Sequence, residues 1–413
     1  MIGEGSTANR GSGNEKNALC KLKLLPAKVF NSFCCVISYF CVIFITQFHV
    51  TQILDMATNP FKYGTIVQEP YFTDRKDELE TIKQTLQSPN HLILISPRRF
   101  GKTSLILKAV QTLKRPFIFI NVQKAVSTTD LAGLIVKETL KQYPLERIKS
   151  FLKHFRIVPT ISLNPITNGM DISFNPNADS NVLLEDALGL IETVSTETER
   201  LIAVFDEFQE ILELEKGIDK KLRAIMQEQT RVNYVFLGSQ ESMMSGIFEK
   251  VKSPFYHFGQ LMHLKKIPFD DFKNYIKNGL DTVCHDAETL AEEILTITNC
   301  HPYYTQQLAA TVWDLLKYKK LDKESGVVQS AMNQLIAVHD LDFERLWTGF
   351  NKNERRILRD LALIGKLSSK DGYAASTTYS TATRMLKSGY LIKTDTYEIE
   401  DPFFKHWILS KLN

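Results

Sequence analysis

The residues able to do chemistry fall in two short stretches. The first is Ser96-Pro97-Arg98-Arg99-Phe100-Gly101-Lys102-Thr103-Ser104. It fits the phosphate-loop pattern G-x-x-x-x-G-K-[ST] at every fixed position but the first, where Ser96 stands in place of Gly. Backbone N–H groups of such a loop, with the positive end of the helix that follows, point at an anion. Gly101 lets the backbone approach phosphate. Lys102 would reach the β- and γ-phosphates, and the Thr103 hydroxyl would bind Mg2+. A chance Gly-Lys-Thr in a basic loop is the alternative. The second stretch is Asp206-Glu207, directly after the apolar run Leu201–Phe205. Asp206 would hold Mg2+ through its water shell, and Glu207 would polarise the water that attacks the γ-phosphate. An acidic helix cap is the alternative for this pair. In this order along one chain, the two stretches specify a Mg-ATP site more narrowly than either does alone.

Both stretches need a scaffold, and the apolar patterning supplies one. Leu92–Ile95 runs straight into the loop, and a helical pattern follows in Leu105, Ile106, Ala109, Val110 and Leu113. Further nearly continuous apolar strands are expected at Phe117–Val122, Leu201–Phe205, Asn233–Leu237 and Gln260–Leu264. Such strands alternating with helices indicate an α/β core with a parallel sheet covered on both faces. Thr73 or Asp74 would cap a helix reaching about Leu86. Helices are expected over 129–153, Leu183–Thr193 and Lys220–Thr230. An inserted β-hairpin, Ile157–Leu163 with Asp171–Phe174, would turn at Asn168-Gly169. Ser239 and Gln240, at the end of the fourth strand, are candidates to touch the γ-phosphate or the attacking water; a plain turn is the alternative.

The pattern changes after Pro268. Residues 269–345 read as helical throughout, with Asn299–Tyr304 breaking one helix and Pro302 starting the next. In residues 346–413, helices at Asn353–Ile364 and Thr378–Lys387 precede short strands at Tyr390–Lys393 and Tyr397–Ile399. Helix, helix, hairpin is a winged-helix pattern. The organisation expected is therefore a phosphate-loop NTPase core over 56–268, a helical lid over 269–345 and a C-terminal winged helix over 346–413.

Composition is that of a globular protein: 413 residues, 44% hydrophobic and 23% charged. The net charge of +3 gives no overall electrostatic case for nucleic acid or membrane. Cys20, Cys34, Cys35 and Cys41 crowd the start, while Cys284 and Cys300 stand apart, with no disulfide or zinc spacing. The first 55 residues are unlike the rest. A Gly/Ser/Asn-rich start precedes Lys16, Lys21, Lys23 and Lys28, and then the apolar run Phe33–Ile45. As a membrane anchor, this charge placement would send the remaining chain outside the cell, away from ATP. The other reading is an upstream extension before a start at Met56. The second fits a cytoplasmic ATP-using protein, and membrane contact through 1–55 stays open.

The stretches Phe72–Leu79, Ser96–Ser104, Val204–Phe208, Gly238-Ser239 and His301-Pro302 together resemble the archaeal-type ATPase family. These are AAA-like phosphate-loop ATPases related to the STAND signalling ATPases and to origin-recognition initiators. The resemblance spans about residues 60–413. It implies that Phe72 and Arg75 flank the adenine, and that His301 and Pro302 of the lid close on it. Three positions depart from the pattern. Ser96 replaces a glycine, Gln240 stands where many STAND relatives carry a sensor arginine, and Cys300 replaces the glycine of the lid motif. The candidates for an arginine finger are Arg98, Arg99 and Arg231.

Three functions follow as expectations. One is an ATP-binding switch with slow, Mg-dependent hydrolysis, in which Lys102, Glu207 and Ser239 act on the nucleotide. Another is nucleotide-regulated DNA binding through the winged helix. Its helix Thr378–Lys387 carries only Arg384 and Lys387 as cations, and residues 346–413 hold eleven Lys or Arg against seven Asp or Glu. That is a mild basic bias. The third makes the winged helix a protein-interaction or autoinhibitory module, and self-association is open in each.

Overall fold

The computed structural model describes residues 58–73, 75–143, 150–163, 169–319, 326–368 and 375–412. Residues 59–413 form one compact unit. The extension 1–55, the capping candidate Asp74 and the turn residue Asn168 lie outside the described residues.

In chain order the elements begin with helix α1 (Lys76–Gln87), strand β1 (Leu92–Ile95), α2 (Lys102–Leu113) and β2 (Phe117–Asn121). Then come α3 (Thr128–Leu140), the strands β3 (Thr160–Leu163) and β4 (Met170–Ser173), α4 (Ser180–Val194) and β5 (Leu201–Asp206). Next are α5 (Ile211–Leu214), α6 (Ile218–Met226), β6 (Val232–Gly238), α7 (Glu241–Phe248) and β7 (Gln260–His263). The helices α8 (Phe269–Leu280), α9 (Ala287–Thr298), α10 (Pro302–Lys319) and α11 (Val327–Gly349) follow. The chain ends with α12 (Lys352–Ile364), α13 (Ala375–Lys387), β8 (Leu391–Lys393), β9 (Tyr397–Ile399) and α14 (Pro402–Leu412).

Five strands form one parallel sheet in the order β2-β5-β6-β1-β7. Strand alternation sends successive side chains to opposite faces. Ile93, Ile95, Ala203 and Phe205 join one buried cluster, which α3 and α4 cover. Leu92, Leu94, Ile202 and Val204 join the other, under α1 and α2. Both faces are dry over β1, β5 and β6, which is why these strands read as nearly unbroken apolar runs, while the edge strand β7 is largely exposed. β6 lies between β5, which ends in Asp206, and the strand that feeds the phosphate loop, yet the carboxyl end of β5 still reaches that loop.

The other differences lie at helix ends. The helix expected over 129–153 stops at Leu140. Ser127 starts that helix by accepting a hydrogen bond from the Asp130 amide. Thr73 does not cap α1. Arg75 occupies the cap position with φ 77° and no side-chain cap bond, and the Thr73 hydroxyl is buried without a partner. The expected helix Lys220–Thr230 is shifted to Ile218–Met226. The pairing of β3 with β4 matches the inserted hairpin, with Thr160 opposite Ser173.

The C-terminal elements run helix, helix, hairpin, then a further helix, α14, that the sequence pattern did not reveal. Asn351 and Glu354 form a reciprocal capping box on α12. The hairpin β8–β9 does not stand free. Ile392 is buried in the same cluster as Phe100 and Leu264, on one face of the parallel sheet. Lys266 and Asn299 reach Glu398 at 2.5 and 2.7 Å.

Candidate functional site

The phosphate loop turns on two left-handed residues, Arg99 (φ 64°) and Gly101 (φ 88°). Only glycine takes such a conformation without steric cost, so Gly101 is required by backbone geometry, and Arg99 carries local strain. Lys102 opens α2 and is buried; its ammonium donates to the carbonyls of Ser96 and Pro97 at 3.4 and 3.3 Å. Burial pulls its pKa down, and the nearby carboxylates of Glu207, Asp206 and Glu241 act against that pull. Ser96 lies fully buried beneath the loop.

Thr103 donates to Asp206 Oδ2 at 3.1 Å, across the gap that β6 spans at the sheet's carboxyl edge. Burial, and then the adjacent Glu207, raise the Asp206 pKa. A hydroxyl and a carboxylate in contact, the latter lifted by burial, suit a hard cation that would neutralise them. No group of three or more His, Cys, Asp or Glu able to hold a metal occurs among the described residues. A cation here would take its remaining ligands from water and phosphate.

Glu207 also adopts the left-handed conformation, φ 53°. Its Oε2 accepts from the Gln209 side chain at 2.7 Å, from Ser239 Oγ at 2.7 Å and from the Ser239 amide at 3.3 Å. Gly238 makes this approach feasible, because a Cβ there would lie 2.7 Å from Gln209 Oε1 and 2.3 Å from Met244. Ser239 therefore faces the carboxylate, while Gln240 bonds Glu210 instead.

Beside the loop lies a cavity of about 830 Å³. Lys102, Thr103, Ser104 and Glu207 form its polar end, and Phe72, Arg75 and Pro302 form part of its wall. His301 does not line it. That imidazole sits behind Phe100, ring to ring at 5.0 Å, with neither nitrogen hydrogen-bonded. Burial, then Lys266 and Arg99, drive its pKa down to about 3, so it is neutral. Arg75 is held by Glu78 at 2.7 Å and reaches the Phe100 carbonyl at 3.4 Å.

An ATPase domain predominantly from Archaea matches residues 72–308 of this sequence. The chain belongs to that archaeal ATPase family. No curated protein matches the sequence closely enough to count as a relative. Solved structures share the fold, two of them as follows. The Walker-type ATPase of Pyrococcus abyssi is 18% identical with a TM-score of 0.60, over 85% of this chain and 99% of that one. The ORC2 protein of Aeropyrum pernix, solved as ADPNP–ADP complexes, is 15% identical with a TM-score of 0.50, over 85% and 99%.

The loop and strand-end residues of this archaeal-type ATPase converge as their order predicts, but two groups of neighbours were not legible in the sequence. Residues Lys62–Val67, a lead-in ahead of α1 to which the sequence pattern assigned no role, form one wall of the cavity. The Val67 amide donates to Ser104 Oγ at 2.9 Å, and Tyr63 meets Tyr303 edge to face at 5.9 Å. The segment is held in place by Asn59, which bonds Ala310 and Asp314 of α10, and by Phe61 against Tyr275. The three candidate arginines also separate. Arg231 is tied to Glu192 at 3.0 Å and to Ser195, within the structural framework. Arg98 and Arg99 line the cavity, and both also line a second one, of about 400 Å³, on the opposite side of the loop. No helix among the described residues is long and apolar enough to cross a membrane.

Proposed function

We propose that this chain binds ATP with Mg2+ and hydrolyses it slowly, using the bound and free states to move its C-terminal elements. The observation that carries the reading is the convergence of Lys102, the Thr103–Asp206 pair and the Ser239-held Glu207 on one end of a nucleotide-sized cavity. Lys102 is the ligand for the β- and γ-phosphates. Thr103 and Asp206 hold the cation, which would offset charge on those phosphates. Glu207 is the general base, and Ser239 fixes its carboxylate. The loop 96–104 cradles phosphate, with Arg98 exposed and free to reach it. Phe72, Arg75, Pro302 and the lead-in Lys62–Val67 enclose the base. Such a protein works in the cytoplasm, where ATP is.

We divide the folded chain into an AAA-like core (56–268), a helical lid (269–345) and a winged helix (346–413). For the last module, an interaction or inhibitory role fits better than duplex DNA. Arg384 is paired with Glu354 at 2.9 Å, Lys387 faces the second cavity, and the hairpin is packed on the core. Both cations are exposed, but Arg384 is already neutralised by its pair, and the hairpin that a DNA reader would leave free is packed away.

The deciding experiment uses Glu207→Gln in the full chain. ATP should still bind, while turnover falls by roughly a hundredfold or more, the size of a lost general base. Unchanged turnover would remove Glu207 from the chemistry, and loss of binding would show that the substitution acts elsewhere.

A further inference from the structure

The loop's second arginine has a role that nucleotide binding alone does not need. The Arg99 guanidinium donates to Tyr304 Oη at 2.5 Å and lies 3.5 Å from Glu400 Oε1. Tyr304 in turn donates to Glu400 Oε2 at 2.9 Å. Arg99 also rests over the Tyr303 ring, 5.0 Å from its centroid. Three segments far apart in sequence meet here: the phosphate loop, the start of α10 and the residue after β9.

Glu400 is largely buried, its side chain 14% exposed. The charged and titratable groups around it are Arg98 and Arg99 of the loop, Tyr304 and His301 of the α10 end, and its neighbour Asp401. His301 is neutral, and Asp401 is spent on the amides of Phe403 and Phe404. Arg98 acts on Glu400 only from a distance, so Arg99, itself half exposed, is the cation in contact with this carboxylate among the described residues. Only the carboxylate side of this pair is buried, so taking Arg99 away leaves Glu400 desolvated without a cation in contact, while Arg99 itself can turn to another anion at little cost. A guanidinium bonds phosphate as well as it bonds carboxylate. Arg99 lines the nucleotide cavity on one side and the second cavity, with Glu400, on the other.

We propose that Arg99 is shared between two anions, so that the hairpin carrying Glu400 is a latch which a nucleotide phosphate opens by drawing Arg99 away. This rests on the ATP reading above. With Arg99 on Glu400, the hairpin stays docked. With Arg99 on phosphate, Glu400 is buried without its cation, and docking weakens. Arg98, which has no such partner, keeps its position for the nucleotide in both states. A ligand shifts such an equilibrium only through a difference in affinity for the two states, and the contest for Arg99 is that difference.

The test is hydrogen exchange of amides 391–399 in the full chain, with and without Mg2+ and the slowly hydrolysed analogue ATPγS. Binding of the analogue is measured on the same samples by calorimetry. The analogue should speed hairpin exchange by about tenfold, a typical allosteric coupling. Arg99→Ala should give fast exchange without nucleotide. Arg99→Ala combined with Glu400→Gln should restore slow exchange, because no buried charge then needs a partner. Glu400→Gln alone should stay slow with or without the analogue. Bound analogue with unchanged hairpin exchange overturns the latch and leaves the ATP reading intact. Absence of analogue binding overturns that reading and the release step together. Slow exchange in Arg99→Ala overturns the clamp in either case.

Discussion

The two cavities on either side of the phosphate loop are built by different means. The larger one is lined at its polar end by residues within a few positions of one another, Lys102, Thr103 and Ser104, together with Glu207 from one strand end. The smaller one is closed by residues from the loop, the β6 end, the α13 end and the hairpin. Phosphate chemistry demands N–H groups, a cation and a hydroxyl at fixed spacing, which a short segment can supply. Communication between distant modules demands contacts whose sequence separation is large. The same loop serves both, through adjacent residues with different partners. Lys102 turns inward to the nucleotide side, while Arg99, 205 positions before Tyr304 is counted along the chain, turns to the other.

Breaking the nucleotide side should have the largest effect. Lys102→Ala removes the buried ammonium that is proposed to hold phosphate and should weaken ATP by roughly a thousandfold, the size of an uncompensated buried charge. Titration with a fluorescent ATP analogue measures it. Affinity within tenfold of the parent would mean that phosphate is not bound at this loop. By contrast, Arg98→Ala removes an exposed cation with no partner of its own. It should weaken the same analogue by only about tenfold, in keeping with a single exposed charge-assisted bond.

The hairpin side should answer to pH instead. Burial lifts the Glu400 pKa to about 7, while Arg99 and the Tyr304 hydroxyl pull it the other way. The folded chain then holds a proton between the ordinary value of 4.5 and about 7 that the unfolded chain releases. Stability from this group is accordingly greatest below pH 4.5, falls as pH rises through that window, and is level above 7. The full change is on the order of 3 kcal/mol. Asp206, Asp401 and Glu241 are raised by burial as well and slope in the same direction. The informative quantity is thus the difference between the parent and Glu400→Gln. Thermal midpoints at pH 5 and pH 8 should fall less in the variant than in the parent. Equal falls would mean that Glu400 is solvated.

The contrast also explains what could be read without coordinates. The central sheet strands were visible because both of their faces are dry, and the loop was visible because its chemistry fixes residue types at short spacing. Helix ends were less visible. Nothing local says that α6 begins at Ile218 or that Arg75, not Thr73, takes the cap position. That β6 separates β1 from β5 is a matter of topology, to which the apolar pattern is blind. The wall Lys62–Val67 and the partners of Arg99 are fixed by docking between segments, and single-chain patterning carries no record of it. Even His301, expected to close on the base, is turned away from the cavity and packs on Phe100.

The smallest effect tests the seam between the two sides. Ser239 lines the second cavity, yet its hydroxyl holds Glu207, which lines the first. Ser239→Ala deletes one charge-assisted hydrogen bond and leaves the Ser239 amide and Gln209 on the same carboxylate oxygen. A bond of that kind is worth about 1.5 kcal/mol, so turnover should drop about tenfold. ATP affinity should hold, because Ser239 lies outside the nucleotide cavity. If Ser239 instead touched the γ-phosphate, affinity and turnover would fall together. Measuring both in one variant separates a residue that positions the base from one that binds the nucleotide. An unchanged turnover would leave Glu207 adequately held by Gln209 and the backbone alone.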